Sequence, residues 1–176
     1  DLGPLAPCLP GRLRTGNKRV QLAPAELLSD LQRLDTALAR LAVPRNGDLV
    51  LIGRRDLRSN NSWMHNSARL VRGKQRCTVL MHAGDAAERG LANGERVRVT
   101  SRVGGVELDL ETTGDIMPGV VSIPHGWGHD RSGIRLAVAG AHAGVSINDL
   151  TDDARVDTLT GVAAFNGVAV QVQRAT

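Results

Sequence analysis

The chain is poor in residues that cross-link a protein. Its 176 residues include two cysteines, Cys8 and Cys77, far apart in sequence. Because there is no CxxC pair and no Cys/His cluster at ligand spacing, the sequence favours neither a disulfide framework nor a zinc site. We interpret both cysteines as free thiols and expect a reducing compartment, the cytoplasm.

Aromatic residues are also scarce, and long apolar runs are missing. With two Trp, one Phe and no Tyr, the core must consist mainly of Val, Leu, Ile and Ala. No apolar stretch approaches the roughly 20 residues of a membrane-spanning helix. Trp63 and Trp127 both lie in segments rich in Gly, Asn and His, which indicates roles in loops or sites. We therefore predict a globular chain without a membrane segment.

The positive charge is concentrated in one region. The formal net charge is +4, yet residues 45–76 hold eight Arg and Lys against two Asp, whereas residues 77–176 hold eight against twelve Asp and Glu. A basic region on an otherwise acidic body favours a local anionic ligand. A nucleic-acid-binding barrel is an alternative because of this charge, but so few aromatics disfavour it, since single-strand binders stack bases on aromatic side chains.

The first 44 residues differ in pattern from the rest. Residues 1–24 are rich in Pro and Gly and predict an extended arm, with at most a short strand at Arg19–Ala23. Residues 25–41 predict one amphipathic packing helix. Its apolar stripe consists of leucines at 27, 31, 34, 38 and 41. We therefore divide the chain into a connector arm with a packing helix, 1–44, and a domain, 45–176.

The pattern from residue 45 onward is one of β-strands. One short helix is expected at Asp85–Arg89, where Asp85 can cap the first turn. Short strands with few helices and no βαβ rhythm indicate a mainly β protein, a closed or nearly closed barrel. The expected strands are Asp48–Gly53, Cys77–His82, Glu95–Val103, Val106–Thr112, Val120–Ile123 and Val168–Val172.

The loop after the first strand is the richest candidate site. Glycine at a strand end lets the backbone approach a ligand closely, and arginine can hold phosphate in a forked geometry. The Asn, Trp and His side chains that follow offer hydrogen bonds and flat surfaces. The alternative, a solvated loop whose polar side chains only satisfy turns, is disfavoured by their density. The candidate cofactor-binding residues are Gly53, Arg54, Arg55, Asn61, Trp63, His65 and Asn66.

Two later loops add candidates. In the HGWGH segment the two histidines have metal-pair spacing, but the glycines disfavour the helix that would align them. We predict instead a loop in which His125, Gly126 and Trp127 face a planar ligand, with a surface-packed Trp as the alternative. Asn148 and Asp149 could pair with a guanine-like ring or form a cap or turn. We assign no catalytic residue and no metal ligand.

Four segments, taken in order, resemble a known family. They are LVLIGRR at 49–55, HAGDAAERGLANGERVRVTSRVG at 82–104, IMPGVVSIPHGWGH at 116–129 and SINDLTD at 146–152. The set is similar to the C-terminal molybdopterin-dinucleotide-binding domain of the dimethyl-sulfoxide-reductase family of molybdopterin oxidoreductases. The resemblance covers residues 45–173 and implies a six-stranded double-psi β-barrel.

The resemblance also implies a cofactor. In the family this barrel covers a much larger catalytic body, and its loops hold the pterin and phosphates of a bis-guanine-dinucleotide cofactor of molybdenum or tungsten. Molybdopterin guanine dinucleotide would thus be shared with the preceding catalytic domains of the same polypeptide. By position, Gly53 and Arg54 match the family's strand-end glycine and arginine, and Asn148 matches its late asparagine near the pterin.

The chain departs from complete members of the family. Their metal ligand and the clustered cysteines of their iron–sulfur centre lie in earlier domains and are not in this sequence. We therefore expect a C-terminal domain of an oxidoreductase, with formate-dehydrogenase-like enzymes as the nearest guess, that is not catalytic alone. The alternatives are a free-standing double-psi barrel that acts as an adaptor and the nucleic-acid-binding barrel.

Overall fold

The computed structural model describes residues 3–41 and 48–176. By its internal contacts the chain divides into two compact units, Asp1–Pro44 and Arg45–Thr176. None of the helices in the described ranges has the length and apolar character that a membrane crossing requires.

The first unit contains two helices where one was predicted. Helix α1 spans Ala25–Ser29 and α2 spans Leu31–Leu41, with the break at Asp30. The prediction of a single helix over 25–41 is therefore wrong, and residues 19–23 form no strand. A packing role for the leucine stripe stays a prediction, because its described side chains are about half exposed. These are Leu27, Leu31, Leu34 and Leu38.

The second unit is a closed barrel of six strands. All six predicted strands are present, although several ends move by one to three residues, because strand ends are set by ladder hydrogen bonds rather than by hydropathy alone. The strands are β1 (Leu49–Arg54), β2 (Thr78–His82), β3 (Arg96–Thr100), β4 (Gly105–Thr113), β5 (Val120–Pro124) and β6 (Val168–Arg174).

Two crossovers make this a double-psi barrel. The strand order is β1-β5-β2-β4-β3-β6, with β1 parallel to β5 and β2 parallel to β4. The chain passes from β1 to β2 across the intervening β5, and from β4 to β5 across the intervening β2. The two crossovers therefore interlock. The predicted six-stranded double-psi β-barrel is confirmed.

Alternation of side chains along each strand fills the barrel. In β3, Val97 and Val99 are fully buried, while Arg98 lies outside and pairs with Glu107 of β4 at 3.1 Å. The core is aliphatic, as the composition requires, and each buried Leu or Val contributes roughly 1.5–3 kcal/mol. Its largest buried side chains include Leu49, Leu51, Met81, Leu108, Leu110, Ile123 and Leu150.

Short helices lie between the strands. They are α3 (Ala68–Val71), α4 (Ala83–Glu88), α5 (Ala137–Ala141) and the 3₁₀ turn Ile147–Leu150. Helix α4 begins two residues before the predicted helix, because His82 rather than Asp85 caps it. Nδ1 of His82 accepts a hydrogen bond from the Gly84 N–H at 3.1 Å. The Asp85 carboxylate accepts instead from the Gly119 N–H at 2.7 Å, before β5.

Candidate functional site

Three segments meet at the end of the barrel where β1 and β5 stop, which we call the β1 rim. Because β1 and β5 run in parallel, their C-terminal ends lie side by side, and the His125 N–H donates to the Arg54 carbonyl oxygen at 2.9 Å. The third segment precedes β6. There the Oδ1 of Asn166 accepts a hydrogen bond from the Gly53 N–H at 2.7 Å. The topology thus brings residues from distant parts of the chain to one rim.

A cavity of about 460 Å³ opens at the β1 rim. It brings together four of the residues that the sequence predicted as cofactor-binding, from three different loops. It also contains two residues from the segment before β6. The lining includes Gly53, Arg55, His125, Asn148, Phe165 and Asn166.

Arg55 is the charged group of this cavity. Its side chain is exposed, and no carboxylate among the described residues pairs with it. Burial, followed by the positive charge of Arg55, lowers the pKa of His125 and so favours its neutral form. A neutral imidazole can both donate and accept a hydrogen bond. The Asn148 amide is also exposed and makes no side-chain hydrogen bond within the described part of the chain. The cavity therefore offers one uncompensated positive charge beside neutral polar groups.

Arg54 is not directed into the cavity. Its partly buried guanidinium donates to the carbonyl oxygens of Thr78, at 2.8 Å, and of Ser122. Burial lowers the pKa of Arg54, and the nearby Glu111 carboxylate partly offsets this effect. The guanidinium thus connects β1 to β2 and β5, and its donors are used within the barrel.

The remaining candidates of the first loop lie apart from the 460 Å³ cavity. Asn61 borders a separate cavity of about 740 Å³, to which Arg55 also contributes. Trp63 is 86% exposed. The Oδ1 of Asn66 accepts hydrogen bonds from two backbone N–H groups in the first turn of α5, at 3.1 and 3.2 Å. Asn66 therefore caps a helix.

His65 and Trp127 belong to a buried ring cluster. Their ring centroids are 4.2 Å apart, and they are 1% and 6% exposed. Nδ1 of His65 lies 2.5 Å from Nε2 of His129, so one ring donates a hydrogen bond to the other and the tautomers decide which ring is the donor. Burial, followed by the charge of His129, lowers the pKa of His65. Within the described residues, no three His, Cys, Asp or Glu side chains form a group that could hold a metal ion.

Gly126 allows two loops to pack closely. Its φ is +97°, and an added Cβ would overlap the carbonyl oxygen of Asn61. Gly128 has φ +103° and lies so close to Ser146 that a Cβ would come within 2.8 Å of the Ser146 Cβ. In the HGWGH segment, the glycines and the tryptophan therefore serve packing, and only His125 borders the cavity.

The site also contains residues that sequence reasoning missed. Of the predicted pair Asn148 and Asp149, the Asp149 carboxylate pairs with Arg131, whereas the Asn148 side chain has no hydrogen-bond partner among residues 3–41 and 48–176. Phe165 is the only phenylalanine of the chain, and that scarcity was a usable signal. Asn166 has no local signal, because its partner Gly53 lies 113 residues away.

Comparison with known proteins places this geometry in a family. The family model described as the Molydopterin dinucleotide binding domain matches residues 49–169. The chain is 29% identical over 113 residues to a tetrathionate reductase of Salmonella typhimurium, covering 54% of this chain and 11% of that protein. It is 39% identical over 64 residues to the dimethyl sulfoxide/trimethylamine N-oxide reductase of Rhodobacter capsulatus, covering 36% of this chain and 8% of that protein.

A solved structure supports the fold. Acetylene hydratase from Pelobacter acetylenicus superposes with a TM-score of 0.62 at 21% identity, over 82% of this chain and 20% of that one. The chain thus spans about a tenth of the length of the curated relatives that it matches. The family match includes β1 to β5 and every residue that lines the rim cavity, and it links the chain to the molybdopterin guanine dinucleotide cofactor. The chain belongs to the molybdopterin-dinucleotide-binding domains of the dimethyl-sulfoxide-reductase family of molybdoenzymes.

Proposed function

We propose that the β1 rim binds the pterin and phosphate parts of molybdopterin guanine dinucleotide, and that this chain is the C-terminal cofactor-binding domain of a larger molybdenum or tungsten oxidoreductase. The observation that supports this function is the rim cavity, in which Arg55 lies with the Gly53 backbone and the Asn148 amide and pairs with no carboxylate of the described residues. Positive charge, close backbone approach and amide hydrogen bonding are what an anionic planar ligand requires.

The described residues fit part of such a group. A cavity of about 460 Å³ lies within the usual range of roughly 300–1,000 Å³ for small-molecule sites. Arg55 would hold phosphate oxygens, and Asn148 would hydrogen-bond the edge of a ring. When bound, the cofactor supplies the redox-active metal centre. The rest of its binding site would come from other domains.

The rim is held in place by bonds that do not involve a ligand. The Gly53–Asn166 hydrogen bond connects the end of β1 to the segment before β6, and the guanidinium of Arg54 connects β1 to β2 and β5. A rim ordered in this way loses little conformational freedom when a ligand binds, which favours affinity.

We propose that catalytic domains precede this chain in the same polypeptide. This arrangement is supported by the small part of each curated relative that the chain covers, 11% and 8% of their lengths. The metal ligand and the iron–sulfur cysteines would lie in those domains, so the isolated chain would not be catalytic. A formate-dehydrogenase-like activity and a cytoplasmic location stay predictions. The relatives' names add reductases of tetrathionate and of dimethyl sulfoxide or trimethylamine N-oxide to the candidates.

The test uses the protein encoded by the full reading frame. We expect it to co-purify with molybdenum or tungsten and to release guanine nucleotide on acid treatment. Arg55→Ala should lower the nucleotide content by about tenfold, whereas Arg72→Ala, at an exposed arginine of the same basic region, should leave it unchanged. A wild type without metal and nucleotide, or an Arg55→Ala protein with full content, would refute the proposal.

The isolated 176-residue chain gives a second test. We expect no viologen-linked redox turnover from it, and robust turnover would contradict the assignment of catalysis to other domains.

Salt-sensitive gel shifts with arbitrary oligonucleotides would favour the nucleic-acid-binding alternative instead.

A further inference from the structure

A small cavity lies beside the HGWGH segment and is separate from the β1 rim cavity. Its volume is about 180 Å³, and the residues that line it come from the segment before β2 and from the region after β5. It shares no lining residue with the β1 rim cavity. We call it the donor cavity, because its polar side chains are those of Lys74, Gln75, Arg76, Trp127 and His142.

The polar side chains of the donor cavity all carry N–H groups. The Lys74 ammonium, the Arg76 guanidinium and the Trp127 indole can only donate hydrogen bonds, and the side chains of Gln75 and His142 can donate as well. Within the described part of the chain, no Asp or Glu side chain lines the cavity. A lining of this kind favours a ligand that consists mainly of acceptor oxygens.

Two buried donors at this cavity lack a hydrogen-bond acceptor. Within residues 3–41 and 48–176, three buried side-chain nitrogen atoms make no hydrogen bond. Two of them, Nε of Arg76 and Nε1 of Trp127, belong to residues that line the donor cavity. Nε of Arg76 lies 3.3 Å from the Asp56 carboxylate as an ion pair, but it makes no hydrogen bond there. Since buried donors normally have an acceptor, these two atoms indicate that a partner belongs at this cavity.

The surface next to the donor cavity has an excess of positive charge. Lys74 is compensated by Glu111 at 2.6 Å, and Arg76 is compensated by Asp56. The excess comes from exposed arginines that pair with no carboxylate among the described residues, and these are Arg58, Arg69 and Arg72. They are neighbours, because the Arg58 guanidinium donates to the carbonyl oxygens of Arg69 at 2.9 Å and of Arg72 at 3.4 Å. This charge favours an anion over a neutral ligand.

The volume of the donor cavity limits the size of its ligand. About 180 Å³ is below the range of roughly 300–1,000 Å³ for sites that hold drug-sized molecules. The space corresponds to about six water molecules at roughly 30 Å³ each. A nucleotide or a fused ring therefore does not fit, whereas a small oxyanion with some of its water does.

We propose that the donor cavity binds a small oxyanion no larger than phosphate. Lys74 and Arg76 precede β2, whereas Trp127 and His142 follow β5, so the bound anion connects two segments that are distant in sequence. Because His125 of the same HGWGH segment borders the β1 rim cavity, the anion stabilises the position of this loop from outside that cavity. This site is independent of the proposed cofactor-binding function.

Tryptophan fluorescence gives a direct probe of the donor cavity. Trp63 is 86% exposed, and Trp63→Phe leaves Trp127 as the single tryptophan of the 176-residue chain. This variant is titrated with inorganic phosphate, sulfate, nitrate and acetate at constant ionic strength. We expect a saturable change in fluorescence at millimolar concentration, and a thermal midpoint that rises with the same dependence on anion concentration. Saturation by phosphate and sulfate assigns the site to tetrahedral anions, saturation by nitrate or acetate alone assigns it to planar ones, and both results support the proposal.

Substitutions in the lining test whether the anion binds there. His142 is exposed and its side chain makes no hydrogen bond within the described ranges, so His142→Ala should keep the fold and weaken anion binding about tenfold. Lys74→Ala should have a similar effect. The matched control is Arg98→Ala, which removes a positive charge from the exposed side of β3 and should leave anion affinity unchanged.

Three results would overturn the proposal. Phosphate and sulfate also stabilise folded proteins without a specific site, so a response that stays linear in anion concentration and is equal in His142→Ala would refute the donor cavity as its origin. A response that depends on Arg55 instead of Lys74 and His142 would place the anion in the β1 rim cavity. If neither the fluorescence nor the thermal midpoint responds to any of the four anions at millimolar concentration, the proposal is wrong, and the cofactor-binding function is unaffected.

Discussion

Arg54 and Arg55 are adjacent in sequence, yet replacing each with alanine should impair a different property. The guanidinium of Arg54 is partly buried and donates to carbonyl oxygens on β5 and β2 and just before β2, two of them at 2.8 and 3.3 Å. Arg55 is exposed, and no carboxylate pairs with it among the described residues. We therefore expect Arg54→Ala to reduce stability and Arg55→Ala to reduce anion binding.

The size of the stability loss in Arg54→Ala follows from the carbonyl oxygens that lose their hydrogen-bond donor. A hydrogen bond from a charged donor contributes about 1.5–3 kcal/mol, and two of the carbonyl oxygens, of Thr78 and Ser122, belong to barrel strands with little access to water. We expect the free energy of unfolding to fall by about 3 kcal/mol. With a urea dependence of about 2 kcal/mol per molar, the unfolding midpoint would drop by roughly 1.5 M.

The assay is urea unfolding followed by tryptophan fluorescence, since Trp127 is buried. Arg54→Lys should recover only part of the loss, because an ammonium group cannot reach carbonyls on two strands in a forked geometry. Arg55→Ala should stay within about 0.5 kcal/mol of the wild type and lose affinity for pyrophosphate. Equal midpoints for Arg54→Ala and Arg55→Ala would refute this assignment of roles.

Three further predictions concern packing and titration. Gly126→Ala adds a Cβ that overlaps a backbone carbonyl oxygen, so we expect thermal unfolding to show a loss of more than about 3 kcal/mol in the free energy of unfolding. The control Gly133→Ala also has a positive φ, +90°, but open space around it, and should lose only about 1 kcal/mol. Equal losses would contradict the steric argument. Cys77 is buried, which raises the pKa of its thiol, whereas Cys8 is exposed. A thiol reagent at pH 8 should therefore modify Cys8 first and Cys77 only after denaturation. Similar modification rates for the two thiols would contradict the burial of Cys77. Burial lowers the pKa of His65 in the folded state. Below about pH 6.5 the unfolded state therefore binds the proton more readily, and the free energy of unfolding should fall as the pH is lowered from 7 to 5. His65→Gln should weaken this pH dependence, and an unchanged slope would exclude His65 as its source.

The barrel strands could be predicted because their signals are local. Alternation in β3 separates the buried Val97 and Val99 from Arg96 and Arg98, and this pattern can be read without knowledge of the fold. The break in the first unit had no such signal, because the leucine spacing continues through Asp30. The cap of α4 was predicted wrongly for a related reason. Asp85 is a residue type that often caps helices, but its carboxylate accepts a hydrogen bond from the Gly119 N–H outside the helix.

The candidate site could be predicted only in part, because side-chain identity does not say which partner a group meets. Trp127 and His65 have the chemistry of a planar ligand site, yet their rings pack against each other in a buried cluster. Asn66 has a ligand-like amide but caps α5. Phe165 was missed because one exposed aromatic in a loop has no periodicity to mark it. For His65, Trp127 and Asn66 the deciding contact joins residues that are distant in sequence.

The different directions of Arg54 and Arg55 follow from strand geometry. Successive side chains of a strand point to opposite faces, so Gly53 and Arg55 share one side at the end of β1, while Arg54 lies on the other. Gly53 and Arg55 line the rim cavity, and Arg54 reaches across the neighbouring strands instead. The period-two rule therefore makes Arg55 the phosphate candidate, although the resemblance by position pointed to Arg54. Inserting one alanine between Gly53 and Arg54 should place the Arg54 side chain on the cavity side and leave the carbonyl oxygens of Thr78 and Ser122 without its guanidinium. We therefore expect the urea midpoint to fall while an arginine-dependent affinity for pyrophosphate is retained, and an unchanged midpoint would contradict the alternation argument.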